Sequence, residues 1–89
     1  MLEKEVTIVN KLGMHLRAAA VFIEQVNRFK CAVTLKKEGR GVNAKSIMGL
    51  LTLGAACGST VTVVTDGEDE AEALDALVTL IQNKFGERD

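Results

Sequence analysis

His15 is the only histidine in the chain. It stands in the stretch Asn10-Lys11-Leu12-Gly13-Met14-His15-Leu16-Arg17, after a glycine turn and before a segment of helical apolar periodicity. The imidazole therefore falls at a helix N-terminus, where the first backbone N–H groups lack intrahelical partners and the dipole is positive. Arg17 lies a turn or less away, and together these groups attract an anion. A neutral imidazole nitrogen beside an anion site has the chemistry to accept phosphate, because histidine is among the side chains that form covalent intermediates. The competing reading is a surface histidine near a turn, and on position alone that is the simpler one.

The second residue of interest is Ser46. It precedes Ile47-Met48-Gly49-Leu50-Leu51-Thr52-Leu53, where apolar residues at 47, 50, 51 and 53 predict two helical turns. Its hydroxyl suits the N-cap, accepting from a free N–H two or three residues on. Gly54 suits the stop. Ile47, Met48 and Leu51 read equally as core or as an apolar docking surface, since a two-turn helix cannot bury every side. Cys31 and Cys57 fit no metal spacing and no C-x-x-C motif, and read as packing residues with free, partly buried thiols. Asp69, Glu70 and Glu72 read as a solvated first helical turn matched to the dipole, not as a metal site.

The elements that position these residues follow from period. Residues 2–9 alternate, with Val6 and Ile8 on one face, as in a half-buried strand. From Leu16 to about Arg28 the step changes to three and four, and Leu16, Ala19, Ala20, Ile23 and Val26 form the predicted apolar stripe. Strands follow at 32–37 and around 40–43, joined by Glu38-Gly39-Arg40-Gly41, and another at 59–65 with Val61 and Val63 inward. Ala71, Leu74, Leu77, Val78, Ile81 and Phe85 mark a last helix ended by Gly86, and residues 87–89 are expected to fray. The order β-α-β-β-α-β-α, with one apolar and one threonine-rich sheet face, predicts an α+β open-faced sandwich. In it a four-stranded antiparallel sheet carries three helices on one face.

Composition narrows the function. Eighty-nine residues, 47% of them hydrophobic, make one domain over 1–89 with a core that needs no metal or disulfide. A net charge of -1 and three phenylalanines as the only aromatics argue against nucleic acid. An RNA-binding sandwich of this element order would carry aromatics on the open face, where Thr7, Thr34, Thr60 and Thr62 stand instead. No apolar stretch spans a bilayer and no signal segment is visible, so the expected location is cytoplasmic, without membrane insertion.

Two motifs carry a resemblance over essentially the full length. Gly13-Met14-His15-Leu16-Arg17-Ala18-Ala19 is similar to the active-site signature of the HPr phosphocarrier family of the bacterial phosphotransferase system. Gly39-Arg40 followed by Lys45-Ser46-Ile47-Met48-Gly49-Leu50-Leu51-Thr52-Leu53-Gly54 is similar to that family's serine-site pattern. The resemblance implies that His15 accepts a phosphoryl group on Nδ1 from phosphorylated enzyme I, which draws it from phosphoenolpyruvate. His15 would then pass it to a histidine of an enzyme IIA domain. Arg17 would hold phosphate charge. Ser46 would be the target of an ATP-dependent serine kinase and its phosphorylase, or a helix cap and nothing more. Leu16, Ala20, Ile47, Met48 and Leu51 would dock partners. The implied protein is a cytoplasmic monomer, a transiently phosphorylated carrier rather than an independent enzyme, and it uses no cofactor. The alternative is a regulatory binding protein of the nitrogen branch or of carbon catabolite control, acting through protein contacts alone. Leu16 and Ala18 depart from the small residue and the proline usual in the family, and Glu24 and Asn27 stand where many sugar-branch members carry lysines. The stretch from Val9 to His15 resembles nitrogen-branch relatives.

Overall fold

In the computed structural model, which describes residues 1–88, the alternating segments pair into one antiparallel sheet. Its strands are β1 (Leu2–Thr7), β2 (Ala32–Lys37), β3 (Arg40–Asn43) and β4 (Thr60–Asp66), in the order β1-β4-β2-β3. Val6 opposes Val61, and Leu35 opposes Val63, so inward residues stack in rows across the sheet. The two-residue turn Glu38-Gly39 has positive φ at both positions, 52° and 80°, the geometry that joins twisted strands in a tight hairpin.

Three helices, α1 (Leu16–Val26), α2 (Ile47–Thr52) and α3 (Glu70–Gln82), cover the apolar face. The architecture is the open-faced sandwich expected from the residue periods. The core lies between layers, and Ile8, Phe22, Leu35, Leu50, Leu77 and Ile81 are its large, fully buried members. Each such side chain contributes about 1.5–3 kcal/mol on leaving water.

Four expectations need correction. The buried stripe of α1 is Ala18, Ala19, Phe22 and Val26, whereas Leu16 and Ala20 face solvent and Ile23 is half-buried. Small alanines on the core side let α1 approach closely, which the apolar count alone did not reveal. In α3 the buried set is Ala73, Leu77, Val78 and Ile81, and Ala71 is exposed. That helix ends at Gln82, not at Gly86, because the chain turns left-handed at Lys84, Phe85 and Gly86, with φ of 60°, 54° and 82°. Finally, the two thiols differ: Cys31 is buried and Cys57 is exposed.

Asp69 also does more than match a dipole. Its carboxylate accepts from the backbone N–H groups of Lys30 and Cys31, at 2.8 and 2.9 Å, and ties the loop after α1 to the start of α3. The hydrogen bond from the Lys30 N–H, aided by that from Cys31, holds its carboxyl below the usual carboxylate range. Burial, and then the Asp69 carboxylate, push the Cys31 thiol up, so it stays protonated and inert.

Candidate functional site

The His15 loop is docked backbone to backbone. Gly13 N–H closes a turn onto Asn10 O at 3.1 Å, and Met14 N–H donates to Ala55 O at 2.8 Å. Met14 is buried and anchors the loop. Gly13 has φ +66°, and a Cβ there would lie 2.5 Å from Ala55 O and 2.9 Å from Ala56 Cα. Only glycine fits both the conformation and the space. His15 follows in extended backbone as the N-cap of α1, and its side chain makes no capping bond. Its carbonyl accepts from Ala19 N–H at 2.9 Å to start the helix. The ring is thus left free of capping while lying at the positive end of an eleven-residue helix.

What the ring meets instead is Glu87. Glu87 Oε2 lies 2.5 Å from His15 Nε2, across 72 positions of sequence. Glu87 Oε1 accepts from Asn10 Nδ2 at 3.0 Å, and the same Nδ2 donates to Gly13 O at 2.7 Å. Residue 87 was expected to fray with 88 and 89; it is instead half-buried and engaged, while Asp89 lies outside the described residues. Burial works to raise the Glu87 pKa. The hydrogen bonds from Asn10 and His15, and the charges of His15 and Arg17, outweigh it and hold the carboxyl below its ordinary value.

The left-handed turn makes this contact. Non-glycine residues in that region cost about 1–2 kcal/mol each. Lys84 and Phe85 accept the cost because Phe85 is buried against Phe22. No signal in the sequence marked Glu87, since its partners are 72 and 77 positions away.

Arg17 is exposed on the first turn of α1 and lines one shallow cleft with Val21, Phe85, Gly86, Glu87 and Arg88. Two guanidinium-bearing residues therefore border the carboxylate that faces the ring. Arg88 was not anticipated, because it follows a turn whose direction only the fold sets.

Ser46 is the N-cap of α2 as its position predicts, with Oγ accepting from Gly49 N–H at 3.0 Å. Ile47 and Leu51 are half-buried against the core, and Met48 is 65% exposed. Leu16 on α1 is 64% exposed, and Ala20 lies one turn further along on the same exposed side. Leu12, absent from the anticipated docking set, is 68% exposed beside the His15 loop. Leu12 and Leu16, within three residues of His15 in sequence, and Met48 on α2 are thus large apolar side chains left at the surface.

The family model described as "PTS HPr component phosphorylation site" matches residues 2–83. The chain belongs to the HPr family. Among its relatives, the phosphocarrier protein HPr of Cupriavidus necator is 53% identical over 87 residues, covering 98% of each chain. The fold is similar to that of a solved HPr from Thermoanaerobacter tengcongensis, at 44% identity and a TM-score of 0.95 over the whole of both chains. It is also similar to Crh of Bacillus subtilis, a catabolite repression protein solved as a dimer with a swapping domain. That likeness has 44% identity and a TM-score of 0.77, covering 94% of this chain and 97% of that one. Membership makes the chain a phosphocarrier of the phosphotransferase system, the reading that the two motifs implied. No described helix is long and apolar enough to cross a membrane.

Proposed function

We propose that His15 is the phosphoryl acceptor, loaded by phosphorylated enzyme I and unloaded onto a histidine of an enzyme IIA domain. The observation that carries this reading is the contact between Glu87 and Nε2 on a ring at the N-terminus of α1. A carboxylate accepts a proton bond and cannot donate one, so the neutral ring keeps its proton on Nε2 and its lone pair on Nδ1. Nδ1 attacks phosphorus, a new P–N bond forms as the donor's P–N bond breaks, and no proton leaves the ring. The ring becomes a cation whose Nε2–H still donates to Glu87. Arg17 and the first-turn N–H groups of α1 receive the charge of the phosphoryl oxygens.

Leu16, Ala20, Ile47, Met48 and Leu51 form the partner-docking surface in this reading, with Leu12 added to it. Ser46 serves as a control point for a serine kinase and phosphorylase, because a phosphate there enters the edge of that surface. Residues 1–89 work as one cytoplasmic domain and as a monomer, to be checked by sedimentation, given the dimeric Crh relative. Incubation with enzyme I and phosphoenolpyruvate followed by intact-mass measurement tests the central step. An acid-labile gain of one phosphoryl group is expected, retained in Ser46→Ala and lost in His15→Ala. Full labelling of His15→Ala would refute it.

A further inference from the structure

Asn10 takes no part in the transfer step, yet its side chain is fully buried and its Oδ1 has no partner among the described residues. Burying an amide with an unsatisfied oxygen is unfavourable, so what its nitrogen does must matter. Nδ2 donates to two acceptors, Gly13 O and Glu87 Oε1. Turned over, the amide would aim an oxygen at two oxygens, so its orientation is dictated by chemistry. Glu87's other oxygen faces His15 Nε2. One carboxylate therefore links a buried, immobile amide to the reactive ring.

Glu87 needs such an anchor. It lies beyond the end of α3, after three consecutive residues of positive φ. Arg17 and Arg88 line the same cleft and offer its carboxylate competing partners. Without a donor on Oε1, the carboxylate is free to swing toward a guanidinium and leave the ring. Asn10 also grips the carbonyl of Gly13, two residues before the histidine, so one amide holds both the loop that carries the ring and the group that sets its proton.

We propose that Asn10 is a positioning residue for phosphoryl acceptance: it anchors Glu87 against Nε2, which keeps the neutral ring in its Nε2–H form with Nδ1 open to attack. This rests on the reading of His15 as acceptor.

Nitrogen-15 NMR of the His15 ring, in mildly alkaline solution where imidazole is neutral, reports which nitrogen carries hydrogen. It is to be run on the wild type, Asn10→Ala, Glu87→Ala and the double variant, with the rate of phosphorylation by enzyme I measured alongside. The wild type is expected to show the Nε2–H form. Each single variant should move the tautomer ratio about tenfold toward that of a solvent-exposed histidine side chain, the order expected for losing one charge-assisted hydrogen bond. Acceptance should slow by about tenfold too, because the ring cation formed on transfer loses the same carboxylate. The double variant should match Glu87→Ala alone, since Asn10 acts only through Glu87. Should Asn10→Ala not fold, Glu87→Gln provides the test. Its amide oxygen still accepts from Asn10 while its amide nitrogen donates toward Nε2, so the Nδ1–H form should dominate. An unchanged ratio in Asn10→Ala or in Glu87→Gln, or additive effects in the double variant, would overturn the proposal. The tautomer readout needs no enzyme I, so it stands or falls separately from the acceptor reading.

Discussion

Phe85 packs edge-on against Phe22, ring centroids 6.3 Å apart and planes at 76°, and this contact turns the end of the chain back onto the His15 loop. Both rings are buried in the common core. The contact compensates the left-handed backbone at Lys84 and Phe85 and sets down Glu87 two residues later. Phe85→Ala should therefore cost about 3–5 kcal/mol in stability, the range for deleting a buried phenyl ring. It should also detach Glu87 from the ring. Urea titration measures the first effect and His15 ring NMR the second. A loss below about 1 kcal/mol would mean that the turn holds itself without the ring, outside the range for such deletions.

The depressed pKa of Glu87 gives an acid-side signature. A carboxyl whose folded pKa is lowered contributes stability that is fully present above its ordinary value of about 4.3. That contribution is lost as pH falls through the lower folded value. The stability difference between the wild type and Glu87→Gln should then shrink as pH falls below about 5. Urea midpoints across that interval check it. A difference that grew toward acid would reverse the sign and remove the carboxylate from this role.

Arg17→Ala should slow phosphoryl acceptance by about a hundredfold or more, the usual scale for removing one donor from a developing charge. Its exposure on α1 predicts an unchanged melting temperature. Arg17→Lys should restore activity in part, because an ammonium supplies charge without the planar fork. Rapid-quench kinetics with enzyme I separates these cases, and a fully active Arg17→Ala would leave the guanidinium a solvated bystander.

At Ser46 two substitutions should act in opposite senses. Ser46→Ala removes the bond to Gly49 N–H and should lower stability by about 1 kcal/mol while transfer proceeds normally. Ser46→Asp keeps a capping oxygen, so stability should stay near that of the wild type. Transfer from enzyme I should slow, because a partner must desolvate a new charge beside Ile47 and Met48. Paired melting curves and transfer rates check both. Wild-type transfer by both Ser46→Asp and the true phosphoserine form would reduce Ser46 to a helix cap.

Much of this protein was legible in local pattern. Two-residue alternation at Val6 and Ile8, and at Val61 and Val63, set which sheet face is buried. Three- and four-residue steps marked the helices, and glycine, histidine and serine at their starts located His15 and Ser46. These features depend on neighbours a few positions apart, and backbone geometry ties such neighbours to one face or one turn. The phase of α1 was not legible that way. Leu16 and Ala20 are as apolar as Ala18 and Ala19, and only the packed neighbours decide which pair goes inside. The set of groups around the ring was less legible still. Asn10 reads as a turn residue, Glu87 as a fraying end and Phe85 as one more helical apolar position. They become a site because the burial of Phe85 against Phe22 reverses the chain after α3. That reversal brings a carboxylate 72 positions away onto Nε2, a contact between parts of the chain that no local period relates.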